Sequence, residues 1–155
     1  MKPRKPPLPV LIALLVAAAG IAGWLLWQRS ADAAALLADA LPPRPALDNR
    51  PQLLRERIDK LESAFRAGEA PLRALGELSA VYHANGFYAE AAHIYTVLEQ
   101  LDPDNPTWPH RHAVILAGFG QAESALPRFE RVIALAPRHL PAHLRRADLL
   151  LKLNR

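Results

Sequence analysis

Gly86, Ala91, Tyr95 and Pro103 return as Gly120, Ala125, Phe129 and Pro137, each 34 positions later (86 to 120, 91 to 125, 95 to 129, 103 to 137). Ser79, Ala113 and Ala147 keep the same step with small residues, and Tyr82, Leu116 and Leu150 keep it with large ones. A fixed period of this length implies stacked helix–turn–helix units, none of which can bury its apolar face alone. The stretch Leu72 to Leu153 is therefore read as one array.

Within a unit the spacing assigns a task to each position. A small residue lies three places before a large one on the first helix (Ser79 and Tyr82, Ala113 and Leu116). Gly86 or Gly120 reverses the chain, since a residue without Cβ tolerates the backbone angles this needs. Ala91 or Ala125 then marks the closest helix–helix approach, and Tyr95 or Phe129, four residues on, shares its face. Pro103 and Pro137 end the second helix. Asp102-Pro-Asp-Asn-Pro106 joins the units, with Asn105 expected as N-cap and Pro106 in the first turn.

These residues resemble the tetratricopeptide repeat family. Leu75, Leu78, Tyr82, Gly86, Tyr88, Ala91, Tyr95 and Pro103 match nearly every consensus position of one unit. The second keeps Ala113, Gly120, Ala125, Phe129 and Pro137 but departs at its start. Trp108 stands one place before the family's Trp position, which Pro109 occupies. The resemblance covers roughly the C-terminal half of the chain. It implies an all-α fold, a short right-handed helical solenoid, with unit one over 72–105, unit two over 106–139, and a third first-helix over 140–155 that is either a cap or a truncated unit. Before them, Leu54, Ile58, Leu61 and Phe65 fall on one helical face, with Gly68 as a stop signal. That makes 51–68 a degenerate capping helix, with Arg57 in place of the small residue and Leu61 in place of the aromatic one.

The N-terminal part reads differently. Lys2, Arg4 and Lys5 lie within residues 1–7, and residues 8–27 then carry no charge. Twenty helical residues span about 30 Å, the thickness of a bilayer's hydrocarbon core. Trp24 and Trp27 close the segment where an aromatic belt would lie. A cleaved signal peptide, with Ala31-Asp-Ala33 as its site, is the competing reading, but its apolar region should be only about 7 to 15 residues long. One N-terminal transmembrane helix is expected, with a basic cytoplasmic N-terminus. The positive-inside rule then sends the repeats across, into the periplasm if the membrane is a bacterial inner membrane. Residues 28–50 read as a linker. Its Ala/Leu portion, Ala33 to Leu41, can prolong the membrane helix, and Pro42-Pro43-Arg44-Pro45 ends it.

The resemblance places a ligand groove on the wall of first helices, at Arg73, Gly76, Ala80, His83 and Ala84, then His110, Val114, Ala117 and Gly118. Chaperone-binding relatives grip an acidic tail with Lys and Asn at such places, whereas Gly76 and Ala80 stand here. Small apolar residues let a backbone approach closely, which suits an apolar or helical peptide segment. The plainer reading is that they only pack neighbouring helices.

No phosphate loop, nucleophile elbow or zinc-binding paired-His helix occurs, and there is no cysteine. His139 and His143 have metal-ligand spacing, but no acid or cysteine completes a set. Neither catalysis nor a cofactor is expected. The net charge of +4 owes much to the N-terminal cluster. Arg128, Arg131, Arg138, Arg145 and Arg146 read as a solvated face, and nucleic acid is not an expected partner. The expected function is a non-enzymatic, membrane-anchored adaptor for envelope proteins or peptides, similar to the anchored repeat proteins of cytochrome c maturation or of the secretion translocon. The alternative is a homo-oligomeric scaffold that self-associates through the apolar C-terminal helix, on which Leu149 and Leu153 share one face and Leu151 projects from another.

The anchor has a direct test. Protease added to spheroplasts is expected to digest Pro51 to Arg155 and to leave the remainder in the pellet after a carbonate wash. Release into the supernatant counts against the anchor, and protection counts against its orientation.

Overall fold

The computed structural model describes residues 8–155, which places the basic segment 1–7 outside the described residues. Among the described residues seven α-helices follow one another: α1 Leu8–Ala38, α2 Gln52–Arg66, α3 Pro71–Ala84, α4 Tyr88–Leu101, α5 Thr107–Gly118, α6 Ala122–Leu135 and α7 Leu140–Lys152. They form two compact units, divided after Ala38. The expected membrane segment, residues 8–27, falls within α1, and much of it lies outside the residues whose side chains are described. Among the described residues no helix is long and apolar enough to cross a membrane.

The expected linker divides in two. Its first part continues α1 as far as Ala38, since Ala31 to Ala38 holds neither Gly nor Pro. Its second part, Asp39 to Arg50, is not a free tether. Ala40 and Leu47 are buried, Arg44 forms an ion pair with Asp59 of α2, and His93 Nε2 of α4 donates to the Asp39 carbonyl at 2.9 Å. The Arg50 guanidinium lies 4.8 Å from the centre of the Phe87 ring. Besides its two buried side chains, three contacts fix this strap to the array.

From α2 onward each helix packs on the next: α2 on α3, α3 on α4, α4 on α5, α5 on α6, and α6 on α7. Ala91 and Ala125 are fully buried at the helix–helix approach, with Tyr95 and Phe129 beside them, equally buried. Gly86 and Gly120 take φ of 83° and 73°, where a Cβ would be strained. In each turn the next N–H reaches back five residues, Phe87 to the Tyr82 carbonyl at 3.0 Å and Gln121 to the Leu116 carbonyl at 2.9 Å. These are Schellman closures, and they satisfy carbonyls the helix end would otherwise leave open. Asn154, 34 places after Gly120, repeats the device with φ of 52° and an Arg155 N–H to Leu150 carbonyl bond of 2.9 Å. The helix α5 starts one residue later than expected, so Pro106 takes the N-cap position and Asn105 stands just before it, its Oδ1 accepting from the Thr107 N–H at 3.0 Å.

Polar links cross between neighbours. Tyr82 donates to buried Glu62 of α2 at 3.1 Å, and Arg66 pairs with the same carboxylate at 3.0 Å. Burial, with the Glu62 charge behind it, pushes the Tyr82 phenol well up. Between the units, Glu99 Oε1 of α4 sits 2.8 Å from His112 Nδ1 and 3.1 Å from Arg128 Nε. Burial by itself would raise the Glu99 carboxyl, but the His112 hydrogen bond and the Arg128 charge outweigh it and hold it below its ordinary value. Arg128 is thus an inter-unit tie, not part of a solvated face. Arg146 likewise pairs with Glu130 at 3.3 Å.

Substitutions at the repeat positions should separate packing from mere helicity. Ala91→Leu and Ala125→Leu are expected to cost about 1–3 kcal/mol each by overpacking, and Phe129→Ala ~3–5 kcal/mol through lost burial and a cavity. Pro127 is exposed inside α6, where it forgoes one backbone hydrogen bond, so Pro127→Ala should be neutral or stabilising. Thermal melts decide, and a silent Ala91→Leu would refute the alignment of the units.

Candidate peptide-binding groove between α3 and α5

The first helices of successive units, α3 and α5, leave two shallow depressions that share Ala80 and Arg111. One, of about 420 Å³, is lined by Ala80, His83, Ala84, Tyr95, His110, Arg111 and Val114. Five of the residues singled out from sequence meet here: Ala80, His83, Ala84, His110 and Val114. Their convergence follows from the repeat, because Ala80 and Val114 occupy equivalent positions and face the same way from adjacent helices. The other depression, of about 430 Å³, runs past Leu72, Arg73, Gly76, Glu77, Asp102 and Trp108.

The remaining four are placed differently. Arg73 is exposed, its Nε donating to Glu77 Oε1 at 3.0 Å, and Glu77 also pairs with Arg57 at 2.6 Å. Gly76 is buried. A Cβ there would come within 2.8 Å of Trp108 Cη2, so the indole lies directly over its backbone. Ala117 packs against the cluster formed by Ala113, Ala125 and Phe129, away from both depressions. Gly118, also proposed for this wall, is the exposed last residue of α5.

Trp108 accounts for the closing of the Gly76 end. The indole Nε1 donates to Asp102 Oδ2 at 2.9 Å, and Asn105 Nδ2 donates to the same oxygen at 2.9 Å. Pro109, one place on, takes the buried position of the repeat. Shifting the tryptophan by one residue turns it about 100° around α5, out of its own unit's interior and onto the preceding unit.

Arg111 and Tyr95 line the site, and His139 lies beside it, but the sequence did not assign any of the three to the groove. The signal for Arg111 was present: Glu77, Arg111 and Arg145 stand 34 apart in one column. His110 lies between the Phe129 ring, at 5.9 Å, and the His139 ring, at 4.7 Å. Burial, then the neighbouring His139, Arg111 and Arg145, disfavour its protonation and lower its pKa. Burial and Arg111 lower His83 in the same way, and His83 Nδ1 lies 3.4 Å from the Tyr95 hydroxyl. His139 also has a structural task, its Nδ1 accepting from the Ala142 N–H at 3.2 Å as the cap of α7. Chemically, the site offers an apolar floor edged by cations and imidazoles.

No family model and no curated protein matches the sequence. Two solved structures of MamA are similar in fold. That from AMB-1 is 19% identical with a TM-score of 0.58, over 63% of this chain and 54% of that one. That from MSR-1 is 17% identical with a TM-score of 0.57, over 66% and 59%. This chain thus matches little more than half the length of either. At such identity the likeness concerns the fold alone, a helical repeat of the tetratricopeptide type.

The indole over Gly76 can be tested as a pair. Gly76→Val should destabilise by about 1–3 kcal/mol through overpacking. Most of that cost should vanish in a Trp108→Ala background, because contacting residues are not additive. Equal costs in both backgrounds, read from denaturant midpoints, would mean that the two side chains do not meet.

Proposed function

We propose that this chain is a non-enzymatic adaptor that holds a segment of another protein in the groove between α3 and α5. The observation that carries the reading is the half-buried, small-residue floor around Ala80 and Val114. Alanine and valine there leave space that larger side chains would have filled, and a peptide's apolar face fits such a floor. The helical-repeat fold supports a binding role. In this reading the uncharged stretch 8–27 anchors the chain in a bacterial inner membrane, the array faces the periplasm, and the partner is an envelope protein. Assembly or maturation of such proteins is the class of task that an anchored groove serves.

A second reading has its own support. Leu140, Leu144 and Leu151 are 64%, 62% and 76% exposed on α7, and with exposed Ala147 they follow a helical i, i+4, i+7, i+11 stripe. Ala147 corresponds to Ser79 and Ala113, which a second helix covers in their own units. A face of this kind suits self-association as a scaffold.

Crosslinking in native membranes, followed by identification of the captured protein, separates the two. Ala80→Arg and Val114→Arg would leave an unpaired guanidinium buried only in the complex, which costs several kcal/mol, and ~1.4 kcal/mol is a tenfold loss of affinity. Both variants should lose capture at unchanged helicity, while Gln100→Arg, exposed on α4, should retain it. If the groove variants still capture and Leu151→Arg does not, α7 is the binding surface.

A further inference from the structure

The electrostatics of the groove narrow the chemistry of what it takes. Every ionisable side chain around the Ala80–Val114 depression is basic or neutral: His83 from α3, Tyr95 from α4, and His110 and Arg111 from α5. His139 comes from the turn before α7, its ring tilted against that of His110 with centres 4.7 Å apart, and Arg145 of α7 is near enough to act on the same imidazole. The element behind, α6, contributes Phe129.

The carboxylates in the vicinity already have partners. Glu77 is held by Arg57 and Arg73, Asp102 by Trp108 and Asn105, Glu99 by His112 and Arg128, and Asp148 by Lys152 at 2.8 Å. Among the described residues neither Arg111 nor Arg145 forms an ion pair, while their neighbours do. The depression thus presents a half-buried guanidinium beside the His110 imidazole, with no carboxylate among its lining residues.

We infer that the groove takes polypeptide segments carrying carboxylates beside their apolar residues, and that His110 gains a proton as such a segment docks. The inference rests on the groove reading above and names the partner's chemistry. The arrangement favours a side chain over a membrane surface, because Arg111 and His110 are half-buried between helices, where a flat array of headgroups does not reach. Burial and neighbouring cations disfavour protonation of His110 and His83. A carboxylate brought between them reverses that balance, because an opposite charge within hydrogen-bond reach favours the protonated form. By linkage, affinity must then rise as pH falls through the imidazole range, where glutamate is still ionised.

The test uses the full chain in a non-ionic detergent and two labelled peptides of about twelve residues, alternating Leu pairs with Glu in one and with Gln in the other. The Glu peptide is expected to bind at least about tenfold more tightly. Its affinity should increase roughly threefold or more from about pH 7.5 to about pH 5.5, and calorimetry in buffers of different ionisation enthalpy should show net proton uptake. Arg111→Gln should remove the preference for Glu, whereas Arg55→Gln, exposed on α2, should not change it. His110→Asn should flatten the pH dependence. Equal binding of both peptides by the wild-type chain would overturn the inference and leave the groove reading standing. Binding of neither peptide would overturn both. Binding of anionic phosphatidylserine vesicles that is lost in Arg111→Gln, with no preference between the peptides, would assign the cations to lipid.

Discussion

The contact between α3 and α4 at Ala91, repeated between α5 and α6 at Ala125, sets the distance to which everything else is fitted. A methyl side chain at the crossing lets two backbones approach closely, and the aromatic ring one turn later fills the wedge that opens beside it. Tyr95 and Phe129 have no exposed surface because the alanines bring the neighbouring helix over them. The turn is bound by the same constraint. Helices this close must be joined by few residues, and a left-handed glycine with a five-residue reach-back closes the first helix within that space. Close crossing, short turn and buried ring therefore form one requirement, and none can be relaxed without the others.

Burial between neighbours leaves unequal ends. At the α2 end the strap covers apolar surface with Ala40 and Leu47, and it offsets the charge of Asp59 and Glu62 with Arg44. At the α7 end Leu140, Leu144 and Leu151 stay exposed, and Asn154 takes the same left-handed backbone angle as Gly86 and Gly120. Stacked arrays need a polar outer face at their ends for solubility. The strap helps to provide one where α2 alone, with Leu61 and Ile58 beneath it, would not.

What could be read from the sequence was whatever the covalent period repeats. The turn glycines, the crossing alanines and the buried aromatics are local to a unit, so their spacing alone determines them. The strap was not legible, because two buried residues between prolines make no period. Arg128 was misplaced for a related reason: helical periodicity gives the direction of a Cβ, whereas a long guanidinium can turn back to Glu99 and His112. Half of the groove was legible through the equivalence of Ala80 and Val114. The other half depends on groups that converge from separate elements, Tyr95 from α4 and His139 from the turn before α7, and no interval in the chain records that meeting.

Trp108 shows how one displaced residue gives the groove a direction. At the family's position its ring would lie within its own unit and leave Gly76 open. One place earlier it roofs Gly76 and hydrogen-bonds Asp102, so that end is closed by an indole and bordered by the already paired Glu77. Along the same column the next members are Arg111 and Arg145, for which no carboxylate is provided among the described residues. The groove therefore runs from a neutralised, roofed end at α3 to an open, cationic end toward α7. An extended segment with acidic groups toward one end has a single favourable orientation along such a gradient, because reversal would place its apolar end against bare guanidinium groups and its carboxylates against Glu77. Repetition supplies the groove, and its polarity comes from the positions where the two units differ.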